Sequence, residues 1–349
     1  MAGLSPKSTV QMRSSQQHFV VPILPLLLLS AAVPAAHGVG VEVDASGNVA
    51  GGLRAGRIPR VVHYVLADRG ARFFDWTMYV SVKAALNVLR ADEVKIHLLD
   101  GAEPWGGWFA AVRPLVTLVP FAATHRELNG VAVEEPAHIA DFRRFEVLAE
   151  EGGIYMDTDH VPTRSYDDLL HHTSVWGRQG KNELGNQVAI GCILAEPGAK
   201  AVRDLLQRMA AAFDGGWDSH SIKVVDRYML GEGTPAGARI LDHPLMFPFS
   251  WLKEDVHEVF FGEGLDLDSV YAVHLFHSQS SHIYRYASST TVRSSQGNFY
   301  RAVRRVFDHD SEGLQAGLLD KMDEYSTSDF TKMRAHARTF GVELEAERD

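Results

Sequence analysis

The chain has 349 residues, of which 46% are hydrophobic and 22% are charged, and its formal net charge at pH 7 is −10. This composition is that of a folded globular protein, and the length exceeds that of a usual single core only slightly. The negative charge argues against nucleic acid as the main partner, because phosphate binding requires clustered Lys and Arg. One cysteine, Cys192, excludes an intrachain disulfide, and its apolar neighbours predict a buried thiol.

A targeting segment and a linker are predicted at the start of the chain. Residues 1–18 are polar, with basic and no acidic side chains, and residues 19–36 are almost wholly apolar with a small-residue end. We interpret residues 1–36 as a signal peptide, with a signal anchor that holds the protein to a membrane through residues 19–36 as the alternative. The Gly-rich residues 37–57 are typical of a linker or stem. Either interpretation predicts a protein of the secretory pathway.

The middle of the chain, residues 58–286, is predicted to form one α/β domain, because strands and helices alternate along it. The predicted strands are 60–67, 94–99, 115–121, 154–157, 188–195 and 270–276, and the predicted helices are 73–90, 136–151, 199–213 and 221–230. Residues 287–349 are charged and partly periodic. We expect them to form a helical C-terminal extension.

A helix that ends at two glycines is predicted directly before the central strand. Apolar side chains recur at helical spacing over residues 139–149. Gly152 and Gly153 follow, and glycine readily takes the left-handed conformation found at helix ends. Asp141 and Arg144 lie three residues apart and hence on one side of the helix. The sequence therefore predicts a polar pair beside the strand that follows.

Two aspartates, Asp157 and Asp159, follow the apolar residues 154–156. Side chains alternate along a strand, so both carboxylates point to the same side. Like charges this close raise each other's pKa unless a cation lies between them. Mg²⁺ and Mn²⁺ prefer carboxylate ligands, and Mg²⁺ is commonly shared with substrate phosphates. Ligands of open α/β sheets bind at the carboxyl ends of strands, so the pattern predicts a divalent-metal site that binds a diphosphate.

This segment resembles the DxD sugar-transferase family that includes α-1,4-galactosyl-, α-1,4-N-acetylglucosaminyl- and initiating α-1,6-mannosyl-transferases. The family pattern runs approximately S-D-x-x-R-Y-x-x-L-x-x-x-G-G-x-Y-x-D-x-D, and this chain departs from it at Ala140 and Phe145. Weaker similarities lie at residues 58–63, 186–198 and 271–274. They extend the resemblance over most of the predicted α/β domain.

The resemblance implies a retaining nucleotide-sugar transferase with a single Rossmann-like fold of the GT-A type and a mixed central sheet. Asp157 and Asp159 would take Mn²⁺ or Mg²⁺ together with the diphosphate, and His274 would reach the metal or the diphosphate from the last strand. The donor would be a UDP- or GDP-sugar. The acceptor would be a glycan, a glycolipid or a protein-linked sugar, and the implied location is the Golgi lumen.

The resemblance also implies which residues hold the donor. Asp141 and Arg144 would bind its sugar and ribose hydroxyls, and Tyr155 would line the nucleotide pocket together with Gly153 of the same motif. Arg144 is counted with the two aspartates as catalytic, because a guanidinium can position the donor through charge-assisted hydrogen bonds. Asn186 precedes a strand that we expect to pass near the donor sugar.

Two further positions bear on the site. The family usually has a Trp three residues after the His of its first strand, but Leu66 stands there. Aromatic stacking on the base is then lost, and the choice between UDP and GDP stays open. His274 and His277, three residues apart, would point to opposite faces of a strand, so we expect only one of them, His274, to reach the site.

Two alternatives to a transferase remain open. A DxD after an apolar strand also occurs in phosphohydrolases of the aspartyl-phosphate type, in which the first aspartate is the nucleophile. Asp157 would then form a phosphoenzyme. The other alternative is a metal-dependent nucleotide-sugar-binding protein that has lost turnover.

Overall fold

The computed structural model of the chain describes residues 57–180, 187–285 and 287–325. The predicted targeting segment, Asn186 and the end of the C-terminal extension lie outside these residues. Within them, no helix combines the length and the hydrophobicity that crossing a membrane requires.

A seven-stranded mixed sheet forms the centre of the fold. In chain order the strands are β1 (Val61–Leu66), β2 (Glu93–Leu99), β3 (Thr117–Phe121), β4 (Glu127–Leu128), β5 (Val131–Ala132), β6 (Gly153–Met156), β7 (His160–Pro162), β8 (Ser174–Gln179), β9 (Gln187–Ala195), β10 (Ala238–Leu241) and β11 (Ala272–His274). The central sheet has the order β10-β8-β9-β6-β1-β2-β3. Strand β9 is antiparallel to both of its neighbours, and the other pairs are parallel.

Helices follow most of the strands. They are α1 (Trp76–Asn87), α2 (Gly107–Val112), α3 (Pro136–Glu150), α4 (Lys200–Ala212), α5 (Ile222–Asp226), α6 (Lys253–Phe261), α7 (His277–Tyr284), α8 (Ser289–Ser294) and α9 (Asn298–Val306). A 3-10 turn spans Arg113–Leu115, and π-helical turns span Arg227–Gly231 and Gly313–Leu319. The predicted α/β architecture with a mixed central sheet is confirmed.

Alternate side chains of the sheet face two helical layers. In β1, Tyr64 and Leu66 belong to the hydrophobic cluster that includes α1, whereas Val65 belongs to the cluster that includes α3 and α4. A strand covered on both faces is apolar along most of its length, as parallel strands usually are, and five of the six residues of β1 are buried. The fold therefore has three layers, with helices on both faces of the sheet.

The described part of the C-terminal extension packs on the same core as the predicted domain. Phe299 of α9 is fully buried, and its ring lies 5.5 Å from Trp76 of α1 and 5.4 Å from Phe260 of α6. Asn87 donates a hydrogen bond to the carbonyl of Val306 at 3.1 Å. Residues 287–325 thus share one hydrophobic core with the sheet.

The thiol predicted to be buried is buried. Cys192 of β9 has no exposed surface, and burial raises its pKa above the ordinary range. Because the thiolate is the reactive form, this cysteine acts as a small core side chain.

Candidate active site

The glycines at the end of α3 allow β6 to lie against β1. Gly152 and Gly153 have φ angles of 68° and 106°, which favour glycine. A Cβ on Gly153 would lie 2.5 Å from the carbonyl oxygen of Val61. Gly153 stands at the other end of β6 from Asp157, about 13 Å away along a strand. The structure therefore shows a packing role for Gly153 within the motif, and its predicted contact with the donor stays a prediction.

Asp157, Asp159 and His274 come together at the carboxyl end of β6, as predicted. One ligand atom from each lies within 4.8 Å of the other two. His274 Nε2 lies 3.1 Å from Asp159 Oδ1 and 3.9 Å from Asp157 Oδ2. The pairing of β7 with β11 positions the histidine, because it sets His274 opposite His160, the residue that follows Asp159.

The segment after His274 differs from the prediction and brings a second group to the site. Strand β11 ends at His274, and Phe276 takes a left-handed conformation with φ 53° before α7 begins at His277. The predicted strand to residue 276, with His277 on its opposite face, is therefore wrong. The backbone N–H of His277 donates to Asp159 Oδ2 at 2.8 Å, so both oxygens of Asp159 have partners.

Arg144 joins the polar pair of α3 to the first aspartate. Its guanidinium lies 3.0 Å from Asp141 Oδ1 and 3.3 Å from Asp157 Oδ1, and it donates to the carbonyl of Ile190 at 2.9 Å. It also lies 4.5 Å from the ring centre of Tyr155, which is buried beneath it. The Tyr155 hydroxyl donates to Asp157 Oδ1 at 2.6 Å. Asp157 is thus oriented by two buried side chains.

The pKa values of the two aspartates shift in opposite directions. Burial raises the pKa of Asp157 and the charge of Asp159 adds to this effect, although Arg144 opposes it. Burial also acts to raise the pKa of Asp159, but the charges of His274 and His277 and their hydrogen bonds hold it well below the usual range. Burial acts to lower the pKa of His274, yet the charge of Asp159 and the hydrogen bond to it raise the pKa. The carboxylate of Asp159 thus favours the protonated form of His274.

The three side chains fit a divalent cation. The carboxylates of Asp157 and Asp159 favour Mg²⁺ or Mn²⁺, and the nitrogen of His274 favours a transition metal such as Mn²⁺. Binding through that nitrogen requires the neutral imidazole, so the cation would take the place of the histidine proton. The protein can hold such a cation from one side and leave its other positions to a substrate.

Gly191 of β9 leaves room for the Asp157 carboxylate. This role was not predicted from the sequence. A Cβ on Gly191 would lie 2.8 Å from Asp157 Oδ2 and 3.5 Å from His274 Cε1. The Gly191 carbonyl accepts a hydrogen bond from the Asp157 N–H at 2.8 Å. A lone glycine inside a buried strand is a sign of close approach, and this sign is present in the sequence.

His220 was also missed, because nothing in its local sequence connects it with Asp141. It lies in the loop between α4 and α5, is fully buried, and places Nε2 3.3 Å from Asp141 Oδ2. Its ring stacks on Phe142 at 5.6 Å. His220 therefore continues the chain of polar contacts that runs from Asp157 through Arg144 and Asp141.

Leu66, which stands where the family usually has a Trp, is 4% exposed and belongs to the core beside α1. Its side chain is packed in the protein interior. Asn186, the predicted contact to the donor sugar, lies outside the described residues.

Three comparisons relate the chain to known proteins. Residues 108–176, which contain Asp157 and Asp159, match the family described as "Glycosyltransferase sugar-binding region containing DXD motif". "Glucan organizing enzyme 1" of Cryptococcus neoformans var. grubii serotype A is 24% identical over 262 residues, which cover 71% of this chain and 70% of that protein.

Solved structures of glycosyltransferases also match the chain. The apo form of GlyE from Streptococcus pneumoniae TIGR4 is 12% identical with a TM-score of 0.42, over 73% of this chain and 64% of that one. The galactosyltransferase LgtC, solved with donor and acceptor sugar analogues, is 10% identical with a TM-score of 0.37, over 71% and 95%. The predicted resemblance to DxD sugar transferases is confirmed by the match of residues 108–176 to this family and by the similarity to the curated relative.

Proposed function

We propose that the protein is a metal-dependent, retaining glycosyltransferase that moves a sugar from a nucleotide-diphospho-sugar to a glycan, lipid or protein-linked acceptor. The observation that carries this proposal is the cluster of Asp157, Asp159 and His274 at the carboxyl end of a central strand, inside the segment that matches the family. The cluster has the ligands that a cation shared with a diphosphate requires.

Asp157, Asp159 and His274 would hold Mn²⁺ or Mg²⁺. When bound, the cation would neutralise charge that develops on the leaving diphosphate. Arg144 keeps Asp157 in one orientation through its contacts with Asp141 and Ile190. Its buried positive charge also raises the positive potential where the diphosphate would lie, since charges interact more strongly in a protein interior than in water.

Retention of the anomeric configuration is part of the proposal. Attack by the acceptor from the side of the leaving group, with a diphosphate oxygen as base, requires no nucleophile from the protein. Trapping a covalent glycosyl–enzyme adduct would contradict this step, and nuclear magnetic resonance of the first product formed would show its anomeric configuration directly.

A polysaccharide acceptor is the class we favour. The curated relative carries the word glucan in its name, so glucan oligosaccharides belong in the first acceptor screen beside mannan oligosaccharides. For the location we propose the lumen of the secretory pathway, in particular the Golgi, on the basis of the apolar run in residues 19–36.

The proposal is tested by a donor screen on the purified protein. We expect slow release of UDP or GDP from one nucleotide-sugar with Mn²⁺, none with EDTA, and a loss of at least a hundredfold in Asp159→Asn, because removal of a metal ligand removes Lewis-acid stabilisation. Asp92→Asn serves as the matched control, because Asp92 is exposed and lies at the opposite end of the sheet.

Each alternative predicts a different result of this screen. Binding of a nucleotide-sugar with metal, but with neither hydrolysis nor transfer to any acceptor, would favour a binding protein. Hydrolysis of simple phosphate esters through a phosphoenzyme at Asp157 would favour a phosphohydrolase.

A further inference from the structure

A tryptophan is exposed on the loop between α4 and α5. Trp217 is 68% exposed, more than any other large hydrophobic side chain in the described residues. Exposing an indole to water is unfavourable because its large apolar surface remains hydrated. An exposed tryptophan close to a substrate site is therefore a candidate contact for a ligand.

The loop that carries Trp217 is internally hydrogen-bonded. The Asp214 carboxylate accepts from the Gly216 N–H at 2.8 Å and from the hydroxyl of Ser219. The Asp218 carbonyl accepts from the N–H of Lys223 at 3.1 Å. These bonds order the loop that carries the indole before any ligand arrives, which reduces the entropy cost of binding.

The same loop is joined to the candidate active site. The Trp217 ring lies 6.3 Å from the ring of His138 on α3. His138 lies 4.7 Å from His220, ring to ring, and His220 contacts Asp141, the partner of Arg144. Trp217 is therefore an outer neighbour of the residues that orient Asp157.

Helix geometry gives the scale of this arrangement. His138, Asp141 and Arg144 are spaced three residues apart and so lie along one side of α3. The six steps from His138 to Arg144 span about 9 Å along a helix axis. Trp217 contacts α3 at His138, so the helix spacing separates this contact from Arg144 along the axis.

The chemistry around Trp217 suits a neutral sugar. A pyranose presents an apolar C–H face that can stack on the electron-rich face of an indole. The carboxylates of Asp214 and Asp218 lie on the same loop and accept hydrogen bonds, which sugar hydroxyls can donate. Asp218 is paired with Lys223 at 2.8 Å, so the charge that disfavours an anionic ligand such as a nucleotide phosphate is that of Asp214.

We propose that Trp217 is an acceptor-binding residue that stacks on a sugar unit at least one residue removed from the reacting hydroxyl. The acceptor is then an oligosaccharide or polysaccharide rather than a monosaccharide. This inference rests on the proposed function, because it takes the sugar transfer to occur at Asp157 and Asp159.

The first experiment measures transfer by Trp217→Ala to glucan and mannan oligosaccharides of one to six units. We expect KM for the long acceptors to rise roughly tenfold, as for loss of one binding hot spot, with kcat unchanged, because binding far from the reacting atoms is uniform. KM for the monosaccharide and donor hydrolysis without acceptor should not change. Trp217→Phe should restore part of the loss. Trp251→Ala is the matched control, because Trp251 is also exposed, at 37%, and precedes α6.

Equal acceptor KM values for Trp217→Ala and wild type at every length would overturn the inference. A rise in donor KM would also overturn it, because it would connect the indole with the nucleotide.

A second measurement needs no turnover. Laminarihexaose, cellohexaose, maltohexaose and mannohexaose are titrated into wild type and Trp217→Phe while tryptophan fluorescence is followed. A saturable change with one hexasaccharide, absent in Trp217→Phe, supports a glycan contact at Trp217 even if the donor screen finds no transferase. No change with any of the four contradicts it.

Discussion

Asp157 and Asp159 have the same side chain but different surroundings. Asp159 is 6% exposed and is held by His274 and by the backbone N–H of His277. The Asp157 side chain is 28% exposed and is held by Arg144 and Tyr155. The structure thus gives Asp159 a fixed negative charge and leaves Asp157 the more accessible ligand. A cation that also binds a substrate requires firmly held protein ligands together with coordination positions that the substrate can reach.

Gly191→Ala tests the space beside the aspartates. Its added Cβ would lie 2.8 Å from Asp157 Oδ2, so the carboxylate must move. We expect Mn²⁺ affinity to fall by about 10- to 100-fold, the usual effect of disturbing the groups that orient metal ligands. Calorimetric titration of Mn²⁺ measures this. Gly264→Ala is the control, because a Cβ there meets nothing within 4 Å; equal losses in both variants would contradict the account.

Arg144→Lys tests the shape of the guanidinium at constant charge. A lysine ammonium cannot contact Asp141, Asp157 and the Ile190 carbonyl at the same time. It also does not stack on the Tyr155 ring as the planar guanidinium of arginine does. We expect kcat/KM for donor hydrolysis to fall at least tenfold. Arg143→Lys, at the preceding residue of α3, should stay within about threefold of wild type, since Arg143 contacts Glu146, His97 and the ring of Phe121 outside the site. A fully active Arg144→Lys would show that charge alone suffices.

The residues of the site were predictable to different degrees. Asp157, Asp159 and His274 follow from motif and resemblance, because each lies at a recognisable strand end. Gly191 and His220 act through contacts made by segments distant in sequence, so only the fold reveals them. The His277 N–H became available because the chain turns into a helix two residues after β11, a change that strand periodicity does not indicate.

At the level of elements, helix α3 and strand β6 match their predictions because a clear apolar period and two glycines mark them. Strand β8 was missed, since its register shifts between Val175 and Gly177. Gly177 approaches Met246 so closely that a Cβ would lie 2.6 Å from that side chain. Strands β7 and β10 are three and four residues long, too short for a period to appear.

A pair of buried histidines links β1 to β2 beneath α3. His63 Nδ1 lies 3.1 Å from His97 Nε2, and His63 Nε2 lies 2.9 Å from the Gly152 carbonyl. Since that carbonyl can only accept, Nε2 of His63 carries the proton and Nδ1 accepts from His97. Burial lowers the pKa of His63 to about 4 and that of His97 to about 3. Both rings are therefore neutral in the folded protein at neutral pH.

These depressed pKa values predict a loss of stability in acid. The unfolded histidines bind protons below pH 6.5, whereas folded His63 does not until about pH 4. The unfolded state binds more protons in this window, so the free energy of unfolding falls as pH decreases from 6.5 to 4. His63 alone accounts for about 3 kcal/mol over the window. Urea unfolding at several pH values should show the loss, and His63→Gln should reduce its slope; an unchanged slope in that variant would contradict this assignment.

At the scale of the whole molecule, the C-terminal helices are part of the structure that supports the site. Helix α9 packs on α1, and Thr77 of α1 contacts His277 at 2.7 Å beside Asp159. The site therefore depends on a core that includes residues beyond the sheet. The sequence indicated helices in this region but not their partners, because packing between distant segments leaves no local pattern.

Phe299→Ala tests this dependence. Removing a fully buried phenylalanine leaves a cavity between α9, α1 and α6, and we expect the free energy of unfolding to fall by about 3–5 kcal/mol. Chemical denaturation measures it. Phe261→Ala, at a position 55% exposed, should change stability by less than about 1 kcal/mol. If the sheet were stable without α9, Phe299→Ala would leave the main unfolding transition unchanged.

Calorimetric titration of UDP and GDP into the protein, with Mn²⁺ and then with EDTA, tests the central claim most directly. A cation held by Asp157, Asp159 and His274 and shared with a diphosphate makes the two ligands bind cooperatively. We predict that one of the nucleotides binds at least tenfold more tightly with Mn²⁺ and that Asp159→Asn abolishes this difference. Nucleotide binding that is the same with Mn²⁺ and EDTA, or that keeps its metal dependence in Asp159→Asn, would contradict the assignment of the site.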